Sequence, residues 1–116
     1  MAIDFNGRWK NQLGSLLELR AANGVVEGRF ESGVGDEGQT LYVDIKGQFL
    51  DDVITFSAVY PRYGTVITWA GQVINKSGVD EIRTQWLHVT NVQDNQEQDW
   101  MWFTNRIGAD VFTRVA

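Results

Sequence analysis

The chain reads as all-β, an eight-stranded antiparallel up-and-down barrel, and three observations predict it. Apolar and polar residues alternate with a period of two, which sends successive side chains to opposite faces of a strand. Turn-forming clusters interrupt those runs at the spacing of about 8–12 residues expected of a barrel or sandwich. No long window carries the apolar period of about 3.6 residues that a helix needs. Closing the sheet on itself removes free edges and leaves room for one small ligand. A β-sandwich is the alternative.

The elements follow in order. Gly7-Arg8-Trp9-Lys10 opens the first strand, and Trp9 and Asn11 share a face. Ser15 to Arg20 forms a second run that stops at Asn23-Gly24, a strong hairpin signal. Val25 to Gly33 is the third, with Phe30, Ser32 and Val34 on one face, and it ends in the Gly-rich turn Gly35 to Gly38. Leu41 to Ile45 is the fourth. Asp51-Asp52 then separates Phe49 from Val53 to Phe56, and Pro61 to Gly64 makes another turn. Thr65 to Ile74 places Thr65, Ile67 and Trp69 together. After Lys76-Ser77-Gly78, Glu81 to Thr90 puts Ile82, Thr84, Trp86 and His88 on one face and Arg83, Leu87 and Val89 on the other. Val92 to Gln98 is a polar loop, a short helical turn is expected around Trp100 to Trp102, and Asp110 to Val115 is the last strand.

At 116 residues the chain is expected to form one domain over 1–116, long enough to bury a core without staples. It has no cysteine, which excludes disulfides and thiolate metal sites, and its single histidine argues against a His-based metal site. A net charge of −5 argues against a nucleic-acid surface. No segment approaches the roughly 20 apolar residues of a helical membrane span. Met1 to Phe5 lacks the make-up of a secretory leader. Asp51-Asp52 reads as a turn rather than a carboxylate dyad, and Gly35 to Gly38 lacks the Lys and helix of a phosphate loop. No nucleophile stands on a plausible elbow for His88 to activate.

If the polar-bearing faces point inward, the interior holds Trp69 and Trp86 with Asn11, Ser15, Ser32, Thr65 and Asp110. A buried hydroxyl or amide without a partner costs about 1–3 kcal/mol, and a bound ligand can be that partner. Taken one at a time, these residues have ordinary readings. A tryptophan is more often core than wall, Asn11 and Ser15 can satisfy backbone groups at a turn, and Asp110 can cap a strand or pair with an arginine.

Five segments in order, NQLGS (Asn11 to Ser15), ESGVG (Glu31 to Gly35), TWAGQ (Thr68 to Gln72), TQWL (Thr84 to Leu87) and DVFTRV (Asp110 to Val115), change that balance. In order and spacing the chain resembles the avidins, in particular the streptavidin branch, from Gly7 to Val115. The resemblance implies a barrel that binds biotin without catalysis and without a cofactor. By that resemblance Asn11 and Ser15 donate to the ureido oxygen, and Ser32 and Asp110 accept from the two ureido N–H groups. Trp69, Trp86 and Phe56 wall the ring, with Leu13, Val34 and Ile67 lining it. The backbone N–H of Asp36 and the hydroxyl of Thr65 meet the carboxylate. Trp102 stands where the family's lid tryptophan reaches a neighbouring subunit, which implies a homotetramer or at least a dimer. A secreted or periplasmic location is implied too.

The pattern departs from the family at Phe30, where a tyrosine would give a third donor to the ureido oxygen. Phe56 replaces a wall tryptophan, Ile67 a threonine near the ligand sulfur, and His88 a pocket-lining leucine. These changes predict weaker biotin binding, and an imidazole at His88 predicts pH dependence. Three other functions fit the pattern less well: a barrel turned to a different small ligand, a lipocalin-like enzyme with His88 and Asp110 as acid–base pair, and a structural assembly module.

Overall fold

In the computed structural model, which describes residues 3–32, 41–96 and 105–115, eight antiparallel strands close into one barrel in chain order. They are β1 (Gly7–Lys10), β2 (Leu16–Ala22), β3 (Val25–Ser32), β4 (Leu41–Leu50), β5 (Val53–Tyr60), β6 (Thr65–Lys76), β7 (Val79–Thr90) and β8 (Asn105–Arg114). Each strand pairs with the next, and β8 returns to β1, so the architecture is a barrel and not a sandwich. The seam between β1 and β8 is short, with Trp9 opposite Arg114 and Lys10 opposite Thr113. One further bond, from the Val115 N–H to the Arg8 carbonyl (2.8 Å), extends it.

One end of the barrel is closed by tight hairpins. The pairs Ala22 with Val25, Leu50 with Val53 and Lys76 with Val79 leave two residues in each loop. Asn23, Gly24, Asp51, Ser77 and Gly78 all take positive φ there, the backbone sense that matches the right-handed twist of the flanking strands. The segment before β1 plugs the same end. Phe5 is buried and packs edge-on against Phe49 with ring centroids 5.6 Å apart. Trp9, wholly buried, donates its indole N–H to the Phe5 carbonyl (3.0 Å). The Arg114 guanidinium lies 4.2 Å over the Trp9 ring and donates to Asp80 Oδ2 (3.2 Å) and to the Asn6 carbonyl (2.9 Å). Full burial of large apolar side chains such as these contributes about 1.5–3 kcal/mol each.

Three strands run well past the lengths the pattern suggested, and β5 continues from Phe56 to Tyr60. β4 continues unbroken to Leu50, because Gly47, which interrupts the apolar alternation, sits where β4 and β5 approach closely. A Cβ on Gly47 would fall 1.8 Å from the Thr55 carbonyl oxygen. β8 begins at Asn105 rather than Asp110, since Arg106 and Gly108 hide its alternation from the sequence. Single 3-10 turns form at Pro61–Tyr63 and, within the polar loop, at Asp94–Gln96. The expected turns at Gly35 to Gly38 and Trp100 to Trp102 lie outside the described residues.

Candidate ligand-binding site

Directly paired residues of antiparallel strands share a face, so the register sorts the interior of β5–β8 into rows. Phe56, Trp69 and Trp86 stand side by side in one row, which ends at Gly108. The next row towards the long loops is Ala58, Ile67 and His88, with Arg106 beyond. Tyr60, Thr65 and Thr90 form the outermost row. On the other side of the aromatic row lie Ile54, Gly71, Thr84 and Asp110. The aromatic row is a flat wall. Trp69 stacks on Phe56 at 5.0 Å with planes 22° apart, and Phe30 of β3 leans on it at 5.3 Å. Gly108 makes room for Trp86, since a Cβ there would lie 2.1 Å from the indole ring.

The loop from β1 to β2 is folded around Asn11, which is only 7% exposed. Its Oδ1 accepts from the backbone N–H groups of Leu13 (3.0 Å) and Ser15 (2.9 Å). Its own N–H donates to the Ser15 carbonyl (3.0 Å), and its carbonyl accepts from Gly14 (3.1 Å). The turn-capping role and the ligand role are therefore compatible. The carbonyl end of the side chain belongs to the turn, and the amide NH2 is the end that a ligand acceptor can meet. Ser15 is buried beside it.

Asp110 is 8% exposed and pairs with no arginine among the described residues. Its Oδ2 accepts from the Trp69 indole N–H (3.0 Å) and its Oδ1 from Gln12 Nε2 (2.9 Å), while its carbonyl accepts from Thr84 Oγ1 (2.9 Å). Each carboxylate oxygen keeps a lone-pair direction beyond its one protein donor. Gln12 carries no expected role in the sequence reading, because alternation beside Asn11 turns it outward. Its amide crosses the seam where β1 has ended, and its Oε1 accepts from the Val111 N–H (3.0 Å). It prolongs the β1–β8 ladder and fixes the acceptor of the site at once.

Ser32, Tyr60, Tyr63, Thr65, Ile67 and His88 line a cavity of about 260 Å3 at the end with the long loops. Thr65 Oγ1 donates to the Tyr63 carbonyl (3.1 Å) and lies 2.9 Å from Thr90 Oγ1. Desolvation by burial pushes the Tyr60 phenol above its ordinary pKa. The sequence-derived residues thus fall into an inner group (Asn11, Ser15, Phe30, Phe56, Trp69, Trp86, Asp110) and a mouth group (Ser32, Thr65, Ile67, His88). Leu13 stands apart on its loop, 66% exposed. Val34, Asp36 and Trp102 lie outside the described residues. Tyr60, Tyr63 and Thr90 join the mouth without having been singled out. His88 and Asp110 are separated by the row of Trp86 and Gly108. With both Asp110 oxygens already held, they do not form an acid–base pair.

A closed barrel with an aromatic row, a locked amide and a locked carboxylate is a small-ligand binding protein. The Avidin family model matches residues 1–115, and the chain belongs to the avidin family. Its members are non-catalytic binding proteins, typically tetrameric, and the chain is accordingly not an enzyme. Avidin-related protein 3 of Gallus gallus is 30% identical over 120 residues, 93% of this chain and 75% of the relative. Among solved structures, Xenavidin superposes with a TM-score of 0.84 at 23% identity, covering 99% of this chain and 100% of that one. A biotin binding protein from chicken gives 0.84 at 24% identity over 97% of each chain. These two likenesses attest the fold.

Proposed function

We propose that the chain binds biotin inside the barrel. A urea offers one acceptor oxygen between two N–H donors, and the inner group together with Ser32 of the mouth offers the complement. Asn11 and Ser15 donate to the ureido oxygen, Asp110 and Ser32 accept from the ureido N–H groups, and Phe56, Trp69 and Trp86 wall the ring. The observation that carries this reading is that the Asn11 carbonyl and both Asp110 oxygens are fixed by the protein itself. Preset groups avoid the ordering cost that limits small-ligand affinity. Phe30 gives no hydrogen bond where the family pattern has a donor, so affinity falls below a full complement by about 1.5–3 kcal/mol. Phe30, Ile67 and His88 also favour a second reading, a different small ring-bearing ligand in the same barrel. Titration with biotin, followed by calorimetry and melting temperature, separates the two. A native-state binder raises the midpoint by mass action, whereas no heat and no stabilisation in excess biotin refutes the biotin reading.

The chain is further proposed to act as a homotetramer, with a dimer as the simpler alternative. Towards the long loops the outer face of β5–β8 is apolar, whereas β1–β3 carry ion pairs. Val59, Val66 and Val89 form one outward row and Leu87 and Ile107 part of the next. All of them are exposed in the single chain. On the opposite side, Arg8 and Arg29 pair with Glu18, and Arg20 pairs with Glu27. An apolar sheet face of this kind marks an association surface, and a second copy offers a matching one. Light scattering on the purified protein gives the subunit number, and a monomer at micromolar concentration rejects the proposal.

A further inference from the structure

We propose that His88 is a specificity residue for an acidic ligand tail, its Nε2–H donating to a carboxylate seated in the mouth cavity. This rests on the biotin reading above and names a donor that the family pattern does not contain. His88 Nδ1 is buried with no hydrogen-bond partner, and among the described residues only Asp52 Oδ1, in a turn at the far end, shares that condition. A hydrogen on that nitrogen would be a buried donor without an acceptor, so the proton sits on Nε2 and the ring offers a donor from its other edge. The residue lines the cavity with Ser32, Tyr60, Tyr63, Thr65 and Ile67. No Asp or Glu is among them. Arg106, the register partner of His88 on β8, adds positive charge beside the row. Among the described residues of the lining, no carboxylate opposes an anion.

The hydroxyl that the resemblance nominates for the carboxylate is already engaged. Thr65 has one hydroxyl proton, and the Tyr63 carbonyl can only accept, so that proton points to Tyr63. The 2.9 Å contact with Thr90 is then filled by the Thr90 proton. Thr65 can serve a ligand as donor only by giving up the Tyr63 bond. The imidazole can donate with no such exchange.

The test compares biotin with an analogue whose tail ends in methyl in place of the carboxylate, on the unaltered protein and on His88→Leu, His88→Gln and Tyr60→Phe. Melting temperature of each variant without ligand confirms the fold. His88→Leu is expected to lose about tenfold or more in affinity for biotin, the scale of a hydrogen bond to a charged group, and to leave the methyl-ended analogue within about twofold. His88→Gln, which retains an N–H donor, recovers most of the loss. Equal losses on both ligands make His88 merely structural and overturn the proposal. A loss that appears with Tyr60→Phe, while His88→Leu is silent, assigns the donor to the phenol and overturns it as well. If the unaltered protein binds neither ligand, the biotin reading falls, and this inference with it. If it binds both alike and His88→Leu changes nothing, biotin binding stands and the role of His88 alone is lost.

Discussion

The two ends of the barrel are built by opposite rules. At one, hairpins of two residues and the segment ahead of β1 close the interior over Phe5 and Trp9. At the other, the connection from Asn11 to Ser15 is long enough to fold around a side chain, and it holds Asn11 by two backbone donors. A two-residue loop is determined almost entirely by the twist of its strands. Its side chains decide whether the turn forms and little else. A longer connection can fix the orientation of a polar group and keep its other end for a ligand. Stability determinants therefore gather at the closed end, while the groups offered to a ligand run from Asp110 and the aromatic row up to the open one.

Substitutions at each end sharpen or break that division. Trp9→Ala is expected to cost the most, about 3–5 kcal/mol of stability as the cavity opens beneath Phe5. Chemical denaturation reads that loss, and the ligand affinity of the folded fraction should stay as it was. A parallel drop in affinity would mean that the ends are not independent. Asp110→Ala should do the reverse, weakening biotin by about 1.5–3 kcal/mol in calorimetry while moving the melting point less than Trp9→Ala does. Phe30→Tyr should tighten biotin by about 1.5–3 kcal/mol by restoring a donor to a polarised oxygen; unchanged affinity would unseat the role given to that position. Gly24→Ala forces a side chain onto a φ of 79°, at a cost of about 1–2 kcal/mol in stability and none in affinity.

Asp4→Ala is the mildest. The side-chain N–H of Asn6, and after it the Asn6 backbone N–H, hold the Asp4 carboxyl below its ordinary pKa. A depressed carboxyl stabilises the fold above its unfolded value of about 4, and that contribution disappears as pH falls through the lower folded value. The stability gap between the protein and Asp4→Ala should therefore close on acidification. A gap that persists in strong acid would show that packing, not charge, sets it.

Most of the fold was legible because period-two alternation and positive-φ turn residues are local properties. Asn23-Gly24, Asp51-Asp52 and Ser77-Gly78 all turn where the pattern places them. The face carrying Ile82, Thr84, Trp86 and His88 is the inward one. Register is not local. That Phe56, Trp69 and Trp86 share one row depends on how β5, β6 and β7 slide past one another, which alternation within each strand leaves open. Gln12 was missed for the same reason, since its partners lie 98 residues away across the seam. Gly47 and Gly108 read as interruptions in sequence, although each marks a close approach. Asp110 was placed correctly on an inward face, but its hydrogen bonds to Gln12 and Trp69 follow only from the closed barrel.

The seam also dictates the order in which the molecule can become competent. Asn11 follows the first strand and Asp110 sits in the last, and pairing across so long a stretch of polypeptide is the slow part of folding. A ribosome must release nearly everything before the two polar groups can face each other. Nascent protein holding only the first seven strands has its indoles in sequence but no carboxylate to hold that of Trp69, so capture of a guest begins as a property of the finished ring.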